Sequence, residues 1–196
     1  MREVSPSLRV VGIDSFPFPA RCEVELVTGD FSTCATLGPT AVVRAMNVLR
    51  GYREEEVAAI HEALGAGLVE GGLVLEGSTD TEGHVTVVHL LRRRGAQLVR
   101  EALLFHTDFT RGFSPWLFRD WLPRDLRRSA TPGTPIHDLL TRWDAHARAG
   151  PVDPRERFVA SVREVVEATN WELEHGFARS VGDKAVSRGA APGLKR

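Results

Sequence analysis

The chain has almost no excess charge, few cysteines and no long hydrophobic run, and each absence excludes a class of protein. Its formal net charge is −1, so no overall basic field attracts nucleic acid or a membrane surface. No apolar stretch approaches the roughly 20 residues that span a bilayer. The N-terminus has no basic region followed by a long apolar stretch, as a signal peptide would. We therefore expect a cytoplasmic protein without a nucleic-acid or membrane partner.

Cysteine and histidine are not spaced as metal ligands. Cys22 and Cys34 cannot form a metal cluster by themselves, and whether they pair as a disulfide stays open. The chain contains no HExxH, CxxC or GxSxG motif. The segment GAGLVEGG matches a dinucleotide-binding glycine loop only loosely, because it neither follows a clear strand nor opens a helix. The sequence therefore predicts a protein without a metal ion, nucleotide or other cofactor.

The composition is that of an ordinary globular domain. Hydrophobic residues make up 42% of the chain and charged residues 26%, which is enough apolar side-chain surface for one sizeable core. We expect a single α+β domain over residues 1–181 and a flexible tail over 182–196, where periodicity is lost. The abundance of Ala, Arg, Gly and Val is typical of a GC-rich bacterial genome.

Apolar periodicity predicts a mixed α+β fold in which helices pack on an antiparallel sheet. Alternation of apolar and polar residues predicts a strand over 21–28. The Gly-rich segment 65–77 is predicted to contain two strand pieces separated by a bend at Gly71–Gly72. Helices are predicted over 37–51, 54–64, 114–122, 135–147 and 153–179. Ser114 and Asp153 each precede a proline, as N-cap residues often do.

The segment 84–106 predicts a β-hairpin that turns at Gly95–Ala96. A type II′ turn requires a positive φ at its first central residue, which glycine adopts readily. With this turn, paired residue numbers sum to 191, so that Leu90 faces Glu101 and His89 faces Ala102.

This register divides the hairpin into two faces. One face has Arg92 and Glu101 beside apolar residues, and the other has His89, Arg100 and His106. One interpretation is a cross-strand salt bridge on a partly exposed face. The other is a ligand site, in which Arg92 binds the carboxylate of a small organic acid through two parallel hydrogen bonds and Glu101 positions it or serves as an acid or base.

Aromatic and acidic residues in the second half have both structural and functional interpretations. Trp116, Trp121 and Trp143 lie on predicted helix stripes and are expected in the core. Glu172 and Glu174 either belong to a solvated helix face, or one of them turns into a pocket as an acid.

The order of motifs over residues 30–145 resembles the chorismate lyase family and its relatives, the ligand-binding UTRA domains. LGPTAVVRAM is similar to the segment that precedes the sheet in that family, GAQLVREALLF is similar to its hairpin strand, and PIHDLL is similar to its helix start. The family's glycine after Pro-Leu/Ile is His137 here, and no arginine on an earlier strand matches its carboxylate-binding residue.

The resemblance implies an α+β fold, with an antiparallel sheet and helices around a small-molecule pocket. It implies elimination or proton transfer on a small, carboxylated, cyclic substrate in aromatic or secondary metabolism, by a monomer or homodimer. Arg92, Arg100 and His137 would then bind the substrate, and Glu101 and Glu174 would be the catalytic acid and base. Two alternatives stay open: a ligand-binding domain of the UTRA type without catalysis, and a thioester-binding protein of the hot-dog type.

Overall fold

The computed structural model describes residues 9–17, 24–167, 171–174 and 177–180, the last two ranges by their backbone alone. These residues form a mixed α+β fold. The strands are β1 (Val11–Asp14), β2 (Glu25–Thr28), β3 (Thr40–Met46), β4 (Leu68–Thr79), β5 (Val85–Arg94), β6 (Gln97–Thr107), β7 (Trp171–Glu174) and β8 (Phe177–Ser180). The α-helices are α1 (Val57–Gly65), α2 (Arg124–Arg127), α3 (Pro135–Ala149) and α4 (Pro154–Glu167). Short 3₁₀ helices cover Phe31–Thr36, Leu49–Gly51, Glu54–Glu56 and Pro115–Trp121.

The main sheet has the strand order β3-β4-β5-β6-β8-β7, and β1 and β2 form a separate parallel pair. The four long strands β3 to β6 make up its body, and β8 joins β6 through the pair Leu103–Ala178. The expectation of an antiparallel sheet is wrong at one edge, because β3 and β4 run parallel. Parallel neighbours need a crossover connection, and α1 lies within this one.

The helix predicted over 37–51 is absent, and the central part of this range forms a strand, β3. Its sequence places the β-branched residues Thr40, Val42 and Val43 close together, and such side chains favour extended backbone. Ala45 is buried and Val42 is exposed, so the alternation is that of a sheet-edge strand. The four-residue spacing between Val42 and Met46 was therefore a misleading helical signal.

The two strand pieces predicted around the Gly71–Gly72 bend belong to one continuous strand, β4. Gly71 has a φ of +77°, a conformation that other residues adopt rarely. At this point the β3–β4 register jumps from the pair Thr40–Leu68 to the pair Val42–Leu73. The predicted bend is therefore a bulge within the sheet edge.

The predicted hairpin is present as β5 and β6, with Gly95 at a φ of +58° in the turn. Near the turn the register is as predicted, since Arg92 pairs with Val99 and Leu91 with Arg100. Beyond Leu91 it shifts by one residue: Leu90 pairs with Ala102 instead of Glu101, and His89 pairs with Leu103 instead of Ala102. Glu101 is thus the extra residue of a bulge, which a count of residues from the turn does not reveal.

The helix predictions are confirmed around α1 and α3 but not at the C-terminus. Asp153 accepts hydrogen bonds from the backbone at Arg155 and Glu156, as the predicted N-cap should. The helix nevertheless ends at Glu167, and β7 and β8 occupy part of the range through 179. Trp171 and Leu173 alternate with two glutamates, which is a strand period that the helical prediction overlooked.

Two hydrophobic clusters cover one face of the sheet. The first contains buried residues of β5, β6, α3 and α4: Val85, Val87, Leu103, Ile136, Leu139, Leu140, Trp143, Val162 and Val165. The second joins β4, β5, α1 and the 3₁₀ helix Leu49–Gly51: Leu49, Val57, Ile60, Leu64, Val74 and Leu91. On β5 the buried positions alternate, so His89 lies between Val87 of the first cluster and Leu91 of the second. No helix among the described residues is long and apolar enough to cross a membrane.

Candidate functional site

Polar side chains lie buried between the two hydrophobic clusters, on the face of the sheet that α1 covers. Glu76 of β4 is 1% exposed and His89 of β5 is 0% exposed. The two residues are direct partners in the antiparallel β4–β5 register. Alternation along both strands points them inward with Val74 and Val87, because residues two apart share a sheet face. A strongly polar pair therefore occupies positions where the strands otherwise bury apolar side chains.

α1 contributes the third polar group. His61 is 6% exposed, and the helical spacing places it beside the buried Ile60 and Leu64. Its Nε2 lies 3.3 Å from Oε2 of Glu76. The rings of His61 and His89 contact each other edge to face, with centroids 6.1 Å apart. The helix is thus joined to the sheet by polar contacts as well as by apolar packing.

α2 provides the fourth group and the link to solvent. Oδ1 of Asp125 lies 2.8 Å from Nε2 of His89, and Oδ2 accepts a hydrogen bond from Nη2 of Arg100 on β6. The Asp125 side chain is 16% exposed and that of Arg100 is 49% exposed. We call His61, Glu76, His89, Arg100 and Asp125 the polar network. It runs from the buried side of α1 to the surface beside Arg100.

The electrostatics of the polar network favour a neutral histidine beside a charged aspartate. Burial lowers the pKa of His89, and the opposing influence of Asp125 does not restore it. Burial alone would raise the pKa of Asp125, but the hydrogen bond from His89 and the positive charge of Arg100 lower it to about 2. In this state the Nε2–H group of His89 donates to Asp125. Its Nδ1 then has a free lone pair, and no described residue provides it with a partner.

A buried nitrogen without a partner is costly and calls for a physical explanation. An unsatisfied buried polar atom costs about 1–3 kcal/mol, and native structures keep few of them. A carboxylate that fixes the tautomer and ring orientation of a histidine is a common arrangement for a proton acceptor. Chemically, the polar network can hold a proton acceptor at Nδ1 of His89 and an anion at Arg100. Among the described residues, no group of three or more His, Cys, Asp and Glu side chains is arranged to hold a metal ion.

Arg92 and Glu101 lie together, as the sequence suggested, but on the face of the sheet opposite to Leu91 and α1. Nε of Arg92 lies 2.7 Å from Oε2 of Glu101, and its Nη1 donates to the carbonyl oxygen of Gly71 at 2.8 Å. Arg94 binds the second oxygen of Glu101 at 2.8 Å. Glu101 thus contacts two arginines, and Arg92 is already paired on both sides of its guanidinium group.

The other predicted site residues fall in different places. Arg100 is part of the polar network, on the same face as His89, as the sequence predicted. His137 is partly buried on α3, where its ring packs edge to face on Trp116 and contacts the Thr141 hydroxyl. Glu174 lies on β7, and its side chain is outside the described part of the structure, as is Cys22.

The sequence did not point to His61, Glu76 or Asp125 as site residues, although Glu76 had a detectable signal. Glu76 interrupts the apolar run LVLEG, and His89 interrupts VVHLL, in two strands that pair. A polar residue at an inward position in each of two neighbouring strands indicates a buried contact. Asp125 had no such signal, because it reaches His89 from a helix of four residues.

Comparisons with protein-family models, with curated proteins and with solved structures find no match to this chain.

Proposed function

We propose that this protein is a chorismate-lyase-like enzyme that acts, without metal or nucleotide, on a small carboxylated cyclic substrate. The reaction would be an elimination or a related proton transfer, in the cytoplasm and in aromatic or secondary metabolism. Two lines of reasoning support this proposal: the order of motifs over residues 30–145, and a buried histidine–aspartate pair that ends at an arginine near the surface. The partner is then a small molecule, bound by a monomer or homodimer.

The observation that carries the proposal is the unpartnered Nδ1 of His89. Asp125 binds the opposite nitrogen and holds the ring in the tautomer whose Nδ1 can accept a proton. Arg100, half exposed beside Asp125, is the group that would bind a substrate carboxylate. The base would remove a proton from carbon while the carboxylate stays fixed, and the expelled group would leave from the neighbouring carbon.

The chemistry is assigned to the polar network in preference to Arg92 and Glu101. Arg92 already donates to Glu101 and to the carbonyl of Gly71, so a ligand carboxylate would have to displace one of these contacts. In this proposal the pair Arg92–Glu101 stabilises the hairpin. Glu174 and His137 keep the roles that the family resemblance implies, as a second acid or base and as a polar group of the pocket.

A second candidate is a ligand-binding domain without catalysis, of the UTRA type. The observation that favours it is the complete burial of His89, whose side chain a substrate reaches only if α2 or a neighbouring segment moves. In this case the polar network would specify the packing of α1 and α2 on the sheet, and a hydroxybenzoate-like effector would bind at Arg100.

The test is to incubate the protein with chorismate and to follow the release of pyruvate and an aromatic product. We expect turnover by the wild type and a loss of about 10²–10⁴-fold in kcat for His89→Gln, the range for removal of a general base. Arg163→Gln, at an exposed position on α4, is the matched control and should retain activity.

Two other results would distinguish the two candidate functions and the two candidate sites. Absence of turnover, together with stabilisation by hydroxybenzoate that Arg100→Gln abolishes, would favour the ligand-binding domain. Activity lost in Arg92→Ala and Glu101→Ala but kept in His89→Gln would move the site to the opposite face of the sheet.

A further inference from the structure

A cleft lined by four arginines lies on the surface around α2. Its lining residues are Arg119, Asp120, Arg124, Arg127 and Arg128, and its volume is about 600 Å³. We call this feature the arginine cleft. Arg124, Arg127 and Arg128 share one side of a helical turn because residues three and four apart are neighbours, whereas Asp125 is rotated toward the sheet. The arginine cleft and the polar network therefore lie on different sides of the same short segment.

A fifth arginine, Arg50, lies close to the arginine cleft. The guanidinium carbon of Arg50 lies 4.6 Å above the ring centre of Trp121, in a cation–π contact. Burial lowers the pKa of Arg50, and the positive charge of Arg127 lowers it further, against the opposing effect of Asp120. Arg50 and Arg127 therefore lie close enough for their like charges to repel each other, and Arg50 adds to the positive charge beside the cleft.

The nearby carboxylates neutralise these arginines only in part. Asp125 is engaged by His89 and Arg100, and Glu54 accepts a hydrogen bond from Ser129. Asp120, which lines the cleft, lies 3.9 Å from Nη1 of Arg119 and also attracts Arg50 through its charge. The Nε of Arg124 donates to the carbonyl oxygen of Tyr52, which carries no charge. Among the described residues, no carboxylate forms a salt bridge with Arg127 or Arg128.

We infer that the arginine cleft binds a small, multiply charged anion of the phosphate class. Guanidinium groups match phosphate oxygens in pairs, and several of them around one cleft suit a dianion better than a single carboxylate. The chain as a whole has a net charge of −1, so the positive charge is local and suits a compact ligand better than a long polyanion. This inference does not depend on the proposed function, because none of these arginines belongs to the polar network.

Calorimetric titration with inorganic diphosphate tests the inference, at low and at high salt. We expect saturable binding that weakens with salt, and a Kd raised about tenfold or more in Arg127→Gln/Arg128→Gln, since each charge-assisted hydrogen bond contributes at least that factor. Arg163→Gln, an exposed arginine on α4, should bind diphosphate like the wild type.

The unfolding temperature without ligand shows whether the double variant is folded, and if it is not, Arg128→Gln alone replaces it because that residue is exposed. The inference is overturned if millimolar diphosphate does not bind, or if the cleft variants bind it as well as the wild type does. Equal binding of citrate would overturn the assignment to the phosphate class. None of these binding and unfolding measurements requires turnover of chorismate.

Discussion

Nε2 of His89 lies 2.8 Å from Oδ1 of Asp125, while Nδ1 of the same buried ring has no partner among the described residues. Only one of the two ring nitrogens of His89 therefore has a hydrogen-bond partner among the described residues. His61 and Glu76 lie next to the same ring, the former in edge-to-face contact and the latter as its partner on β4. This asymmetry makes the residue sensitive to protonation, because a second N–H group would be buried without an acceptor.

The first prediction concerns pH. Because burial lowers the pKa of His89 below its ordinary value of 6.5, the unfolded chain binds a proton at a pH at which the folded protein does not. The contribution of His89 to stability is thus fully present above pH 6.5 and is lost as the pH falls below it. The slope is at most about 1.4 kcal/mol per pH unit. Urea unfolding at several pH values should show this loss in the wild type and a weaker one in His89→Gln.

His146→Gln is the control for that experiment, since His146 lies on α3 outside the polar network. It should keep the wild-type pH dependence. A slope that is the same in His89→Gln and in the wild type would show that His89 is not the titrating group. A separate loss, between about pH 4 and pH 2, belongs to Asp125, whose pKa is lowered from 3.8 to about 2.

The second prediction concerns the contact between His61 and Glu76. Both side chains are almost completely buried, so removing either one leaves the other without its partner. We expect Glu76→Leu and His61→Leu to lower the free energy of unfolding by about 1–3 kcal/mol each. The double variant should lose less free energy of unfolding than the sum of the two single variants, because it leaves no buried polar group without its partner. Chemical denaturation of the four proteins measures this coupling, and strict additivity would contradict it.

The sequence predicted the elements whose signals are local and missed those that depend on distant contacts. α3 follows a 3.6-residue apolar stripe from Ile136 to Trp143, and the β5–β6 turn follows from one glycine. β3 was missed because its register against β4 is set across a crossover of more than 20 residues. The bulge at Glu101 was missed because one extra residue moves the side chains that follow it to the opposite face of the sheet, and the composition of the strand does not reveal this.

The candidate site was predictable only in part, for the same reason. Arg92 and Glu101 are close in sequence across a turn, so their contact follows from the hairpin alone. The polar network brings together β4, β5, β6 and two helices, and His61 and Asp125 are 64 positions apart in the chain. Only tertiary packing joins such residues, and their role can be inferred only once that packing is known.

The third prediction concerns Arg92 and Glu101. Their side chains are 29% and 19% exposed, so water screens the pair only in part. We expect Arg92→Gln and Glu101→Gln each to cost about 1 kcal/mol or less, with a coupling of a few tenths. The neighbouring Arg93→Gln, whose side chain lies on the other face, is the control and should be neutral. A loss of several kcal/mol would show that the pair contributes far more than a hairpin ion pair does.

The last prediction concerns Gly77, which directly follows Glu76 on β4. A methyl group on Gly77 would overlap the backbone carbonyl oxygen of Val87 on β5, and backbone atoms cannot move aside as a flexible side chain can. Gly77→Ala should therefore push β4 away from β5, lower the free energy of unfolding by about 1–3 kcal/mol, and displace Glu76 from His61.

Gly51→Ala is the matched control, since a methyl group there meets no atom within 4 Å and the φ of Gly51 is negative. It should be neutral or slightly stabilising, because alanine restricts the unfolded chain. Urea unfolding compares the two variants. If the proposed function holds, Gly77→Ala also reduces turnover under conditions in which the protein stays folded, because the strand shift moves the base. Unchanged stability in Gly77→Ala would mean that β4 and β5 are not packed as closely as their register requires.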